Sequence, residues 1–175
     1  MNDTRRFCVT LALVAATMAT AGAQPSIPPP DPSATAGEKA IATYLAEDSV
    51  GDVQLGELGI RKAHGAAVRA FARAMVKDHT RTAQAGIAAA QRLGADNAKL
   101  EPDSSTQVAL TRLARYRGAA FDREYLKTLA DAHKSDIILI EEALAFTTDP
   151  GLRTTLTDTL AVDRKHLRMA IAAQT

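Results

Sequence analysis

Three of the four histidines, His79, His133 and His166, fall on the apolar stripe of a helical repeat. Aspartates accompany them: Asp48 and Asp52 in an earlier segment, Asp136 three residues after His133, and Asp163 three before His166. Residues three apart share a helix face, so each of the last two pairs can aim an imidazole and a carboxylate at one point. Neutral imidazole nitrogens and carboxylate oxygens are donors that hold divalent transition metals. An ion held there could act as a Lewis acid or handle dioxygen or peroxide. The same residues have a second use, a metal-free network in which aspartates accept from imidazole N–H groups and lock helix register. His79, His133, His166, Asp48, Asp52 and Asp163 are therefore the candidate ligands, and a divalent transition metal the candidate cofactor.

Other chemistries lack their signatures. Cys8 is the only cysteine and lies in a segment expected to be removed, so thiolate sites and disulfides are excluded. Neither Gly-x-Ser-x-Gly nor Cys-x-x-Cys-His occurs, which leaves no hint of a hydrolase nucleophile or of attached haem. Met75 and Met169 near His79 and His166 read as core filling rather than as haem ligands.

The histidines can meet only if helices bring them to one height. The chain beyond residue 36 is alanine-rich and periodic at 3.6 residues almost throughout, which predicts an all-α fold. A first helix opens at a capping box, Thr35 with Glu38, and runs to about Ala63. A second covers about Gly65 to Leu93 and stops at Gly94. A short third follows a second box, Ser104 with Gln107, to about Tyr116. A long fourth covers about Gly118 to Thr147, and a fifth starts at Asp149-Pro150, an N-cap followed by proline at the first helical position, and ends near Ala173. Four long amphipathic stripes are buried most simply as a four-helix bundle with one short connecting helix. Gly51, Gly56 and Gly59 weaken the first helix unless a neighbour packs closely there.

Height follows from counting. His133 lies 16 residues before Asp149 and His166 17 after, a mismatch of about 1.5 Å across an antiparallel pair. Counted from a first turn near His64, Asp48 lies 16 residues before and His79 15 after. Asp48 is thus expected level with the histidines and Asp52 one turn lower.

The N-terminus predicts export. Arg5 and Arg6 precede an apolar run, and "AGA" before Gln24 suits a signal peptidase. Residues 1–23 read as a signal peptide, 24–36, rich in proline, as an extended tether, and 37–175 as one bundle domain in the periplasm. Cleavage takes Arg5, Arg6 and Asp3 away, so 21 basic and 20 acidic residues become 19 and 19. That balance gives no nucleic-acid footprint, and no transmembrane segment is expected after cleavage. Arg69, Arg73, Lys77 and Arg81 repeat every four residues on the outer side of the second helix, where like charges repel by a few tenths of a kcal/mol each. They suit either anionic envelope components such as lipid headgroups or a solvated face paired with acids of a neighbouring helix. Asp78 is expected to point off the stripe and help neutralise them.

"VRAFARAMVKDHTRT", "GAAFDREYLKTLADAHKS" and "LTDTLAVDRKHLRMA", with the signal peptide and "GDVQLGELG", resemble a large family of exported bacterial proteins, domain of unknown function 4142, often labelled predicted outer membrane proteins. The resemblance covers about Gly37 to Ala172 and implies a ferritin-like four-helix bundle, with the family's histidines falling on His79, His133 and His166. Asp52 stands where the family commonly has glutamate, and Asp163 where its "LP-x-L" has an apolar residue. No Glu-x-x-His occurs, unlike the diiron ferritins, so the fold implied carries no iron oxidation with it. Two readings stand: a non-catalytic envelope or stress-associated module whose His/Asp layer specifies the interior, and a metal-dependent oxidant-handling protein.

Overall fold

Local signals set where the helices start and stop. Gly94 takes a positive φ of 78° just past α2 (Ala66–Arg92), and the Leu93 and Ala95 amides bond back to the Ala89 and Ala90 carbonyls. Asp149 accepts from the Leu152 amide at 2.6 Å, capping α5 (Pro150–Ala172), with Pro150 where its missing N–H costs nothing. The computed structural model describes residues 36–95, 101–102 and 104–174. Residues 1–35, where the expected signal peptide, the expected tether before Ala36 and the capping residue Thr35 fall, and Thr175 lie outside them. The remaining helices are α1 (Ala36–Lys62), α3 (Ser104–Ala114) and α4 (Gly118–Phe146), and the described residues contain no strand. The expected all-α arrangement of four long helices and one short connector is therefore what folds.

Glu38 does something local spacing does not reveal. Its Oε1 accepts from the amides of Thr148 and Asp149 at 2.6 and 2.9 Å and from the Thr148 hydroxyl at 3.0 Å. The first turn of α1 thus satisfies the backbone of the α4–α5 turn. Arg92 adds a paired hydrogen bond to Asp149, one arm at 2.9 Å, joining the end of α2 to the start of α5.

Contacts between elements give each helix its direction. α1 and α2 run antiparallel, with Gly59 near Ala72 and Gly86 near Ala46. α2 and α5 also oppose each other, since Arg92 meets Asp149 and Asp78 meets Lys165. α4 opposes both α5 and α1, through Glu141–Arg164 and Tyr44–Asp136. The order is up, down, down, up, and the chain bearing α3 returns from one end of the bundle to the other. Gly51, Gly56 and Gly59 of α1 do mark close approaches: a Cβ at Gly51 would strike Thr106 of α3, at Gly56 Val76 and Met75, and at Gly59 the Tyr125 hydroxyl and, at 2.7 Å, Ala72 Cβ.

The interior has two apolar clusters. Leu55, Phe71, Met75, Phe121, Tyr125 and Leu129 fill the end near the α1–α2 turn. Leu45, Leu93, Ile140, Leu152 and Leu156 fill the end near the α4–α5 turn. The histidines and aspartates lie between them, so a polar layer divides an otherwise apolar core. Among the described residues no helix is long and apolar enough to cross a membrane.

Candidate metal centre

Each long helix contributes to the layer. Asp52 comes from α1, His79 from α2, His133 from α4, and Asp163 and His166 from α5; all are buried, the three imidazoles and Asp163 completely. One donor atom from each of Asp52, His79, His133 and Asp163 lies within 4.8 Å of the others, and the same holds for His79, His133 and His166. His79 Nε2 is 3.0 Å from His166 Nδ1, 3.3 Å from Asp52 Oδ2 and 4.0 Å from Asp163 Oδ1. His133 Nδ1 is 3.9 Å from Asp163 Oδ1 and 4.0 Å from Asp52 Oδ2. The His79 and His133 rings stack with centroids 5.5 Å apart.

Two features bear on whether an ion fits this layer. Both oxygens of Asp163 and the Nδ1 of His133 are buried without a hydrogen-bond partner, a cost of about 1–3 kcal/mol for each group. Neighbouring ligands around one tetrahedral ion with bonds of about 2.0–2.1 Å lie roughly 3.3 Å apart. The His79–Asp52 separation of 3.3 Å meets that value, and the other three imidazole–carboxylate separations among these donors, 3.9 to 4.0 Å, exceed it by less than an ångström. The residues present fit a single ion with imidazole and carboxylate ligands.

Asp48 is corrected. It is half-buried and stays outside the converging donors, lining a groove between α1, α3 and α4. The pairs Gly59–Ala72, Asp52–His79 and Ser49–Thr82 centre the first hairpin on Gly65–Ala66, not on His64. That shift moves the level partner of His79 one helical turn, from Asp48 to Asp52. Asp136 lies inward as expected, its Oδ2 3.9 Å from His133 Nδ1, and accepts from the Tyr44 hydroxyl at 3.0 Å.

Residues 23–173 match the family model described as Domain of unknown function (DUF4142). The chain belongs to this family. No curated protein and no solved structure matches it.

In this DUF4142 domain burial holds the three histidines and Asp163 in their neutral forms. Burial, and then the neighbouring His133 and His166, keep His79 well below its ordinary pKa. Burial and His166 push His133 down to about 3. Burial, and then the charge of Asp136, push Asp163 up to about 8. Without an ion, three neutral imidazoles thus face a protonated Asp163 at neutral pH.

Sequence reasoning misplaced Asp78. It does not neutralise the basic strip; it is buried, and its Oδ2 accepts from Lys165 Nζ at 2.6 Å and from His166 Nε2 at 3.1 Å. Burial opposes its ionisation, but Lys165 and His166 outweigh that and hold its pKa below the usual carboxylate value. Phe71, Asp78, Thr82 and Ala89 form a second buried row of the DUF4142 α2 helix beside the one through His79, a row that a single-stripe reading omits. Arg73, Lys77 and Arg81 are exposed, while Arg69 bonds the Ala63 carbonyl at 2.6 Å.

An ionised carboxylate only accepts, so His166 Nε2 carries the proton and its Nδ1 turns a lone pair toward His79. His133 Nε2 faces Met75 Sδ at 3.3 Å, a weak acceptor that leaves the His133 Nδ1 lone pair facing the layer. Asp78→Asn should let His166 populate both tautomers, and an ion held by the His79, His133 and His166 group should bind about 10- to 100-fold more weakly. Nitrogen-15 shifts of the metal-free protein check this. Wild-type His166 protonated at Nδ1 would contradict the assignment.

Proposed function

We propose that this protein is an exported, ferritin-like domain that binds one divalent transition-metal ion through Asp52, His79, His133 and Asp163, with His166 beside them. The single observation that carries the reading is the set of buried, unpartnered donors on Asp163 and His133, facing His79 and Asp52. An apolar core gains nothing from such atoms unless something cationic occupies the space between them. Mixed imidazole and carboxylate ligands suit manganese, iron, cobalt or zinc over softer ions. When bound, an ion of the redox-active kind supplies one-electron chemistry toward peroxide or dioxygen. This chain's own residues hold the imidazoles and Asp163 neutral and fix the His166 tautomer through Asp78.

The ferritin-like assignment is supported by the up-down-down-up order with one long crossover, as in ferritin-like bundles. Export is supported by the signal-peptide pattern of residues 1–23. Arg73, Lys77 and Arg81 support contact with an anionic envelope surface, at about 1 kcal/mol per charge near such a surface.

The test is elemental analysis of the protein purified from periplasm without chelators or a histidine tag, beside Asp163→Asn and His79→Ala. One equivalent of metal in the wild type, lost in a variant with unchanged circular dichroism, is the expected result. A metal-free wild type whose melting temperature ignores added manganese, iron, cobalt, zinc and copper would sink the reading and return the layer to a purely structural role.

A further inference from the structure

A centre sealed on every side could not be loaded, so the way in is a question the packing must answer. The α1–α2 seam is closed by glycines that bring the backbones together. The α2–α5 seam is closed at the layer by Asp78, Lys165 and His166. The α1–α4 seam differs. A groove of about 530 Å³ lies there under α3, with exposed Val108 among its outer residues and buried Asp52 on its wall.

Three carboxylates line the groove, Asp48, Asp52 and Asp136, with Arg112 as its cation. The Arg112 guanidinium bonds Thr128 Oγ1 at 2.8 Å on the exposed side. Asp48 and Asp52 are four residues apart and share one face of α1, so a cation passed between them moves about one helical turn, roughly 6 Å. At roughly 30 Å³ per water the groove has room for an ion with six waters around it. Beyond Asp52 lie His79 Nε2 at 3.3 Å and the unpartnered, fully buried Asp163. That destination separates this groove from an ordinary acidic patch.

We infer that the α1–α3–α4 groove is the inlet by which a hydrated divalent cation reaches the centre, drawn in by Asp48 and Asp136 and handed to Asp52. The inference rests on the metal-binding reading. Asp48 then acts on the rate of loading and not on the affinity, because it lies outside the converging donors.

Cobalt(II) uptake by the metal-free full-length protein, followed in a stopped-flow instrument by its visible absorbance, tests this. Asp48→Asn should slow loading by about three- to tenfold and Asp48→Lys by tenfold or more, with the difference shrinking as salt rises. The dissociation constant should stay within about twofold, so release slows in step. Asp158→Asn, in the separate α2–α5 groove, should load at the wild-type rate. Equal loading rates for wild type, Asp48→Asn and Asp48→Lys would overturn the inlet. So would a faster release in Asp48→Asn, which would make Asp48 a ligand. A wild type that takes up no cobalt overturns centre and inlet together, whereas normal uptake with unchanged variants overturns the inlet alone.

Discussion

Asp163→Leu should yield a metal-free protein that is more stable than the wild type and unable to hold an ion. Asp163 is completely buried, and neither of its oxygens has a hydrogen-bond partner. Leucine removes that desolvation cost and joins the neighbouring apolar cluster through Leu160 and Leu156. An unsatisfied buried polar group costs about 1–3 kcal/mol, which an apolar side chain of similar size relieves. A gain of about 2 kcal/mol raises the melting temperature of a domain this size by on the order of 6 °C. The same change deletes a carboxylate from the converging donors, and cobalt affinity should fall on the order of a hundredfold or more. Calorimetry and a cobalt titration on one sample check both halves. A variant less stable than wild type without metal would show that Asp163 is satisfied in solution and that the layer is structural.

The second large effect is a stability maximum near pH 6.5 in the metal-free protein. Unfolded histidines titrate near 6.5, whereas His133 does so at about 3 in the folded state and His79 lies well below its ordinary value. As the pH falls through this window the unfolded chain takes up protons that the folded one refuses. Each histidine therefore costs about 1.4 kcal/mol per pH unit. Asp163 works the other way: its pKa rises from 3.8 unfolded to about 8 folded, so stability is lost as the pH climbs from about 4 to 8. Between about 4 and 6.5 the His133 slope offsets that of Asp163, and His79, held well below its ordinary value, tips the balance toward loss of stability on acidification. His166, also shifted down by burial against the pull of Asp78, adds to that loss. Above 6.5 only the Asp163 slope remains, with opposite sign. Urea midpoints at pH 5, 6.5 and 8 measure the profile, and Asp163→Leu should abolish the decline between 6.5 and 8. Stability that keeps rising to pH 8 would mean that Asp163 is ionised in the folded protein.

The helices were legible because their ends carry local chemistry. Asp149-Pro150 and Gly94 act within a few residues of themselves, so spacing alone finds them. The level of His133 and His166 was legible for a related reason, since a cap marks the turn from which to count. The first turn has no such marker. Gly65 stands at the cap of α2 with no side-chain bond, and the amides of His64 and Gly65 are taken instead by Asp122 of α4, at 2.9 and 2.7 Å. Counting from His64 rather than from Gly65–Ala66 therefore puts Asp48 level with His79, and Asp52, also a candidate ligand, one turn lower. Asp78 and Glu38 escaped for a deeper reason, because their partners lie 87 to 111 residues away. Which neighbour covers a helix face is a property of the assembled bundle, and a helical wheel cannot supply it.

The division of the layer between the two hairpins bears on the order of folding. Asp52 and His79 belong to α1–α2, while His133, Asp163 and His166 belong to α4–α5. Each hairpin can form early from contacts close in sequence, but neither owns a complete set of donors. The centre comes into being only when the hairpins dock, so an ion there would be a staple across the seam between them. Such a staple, absent from the transition state for folding, slows unfolding without speeding folding. Metal in this protein would then set how long the folded state lasts more than how fast it is reached.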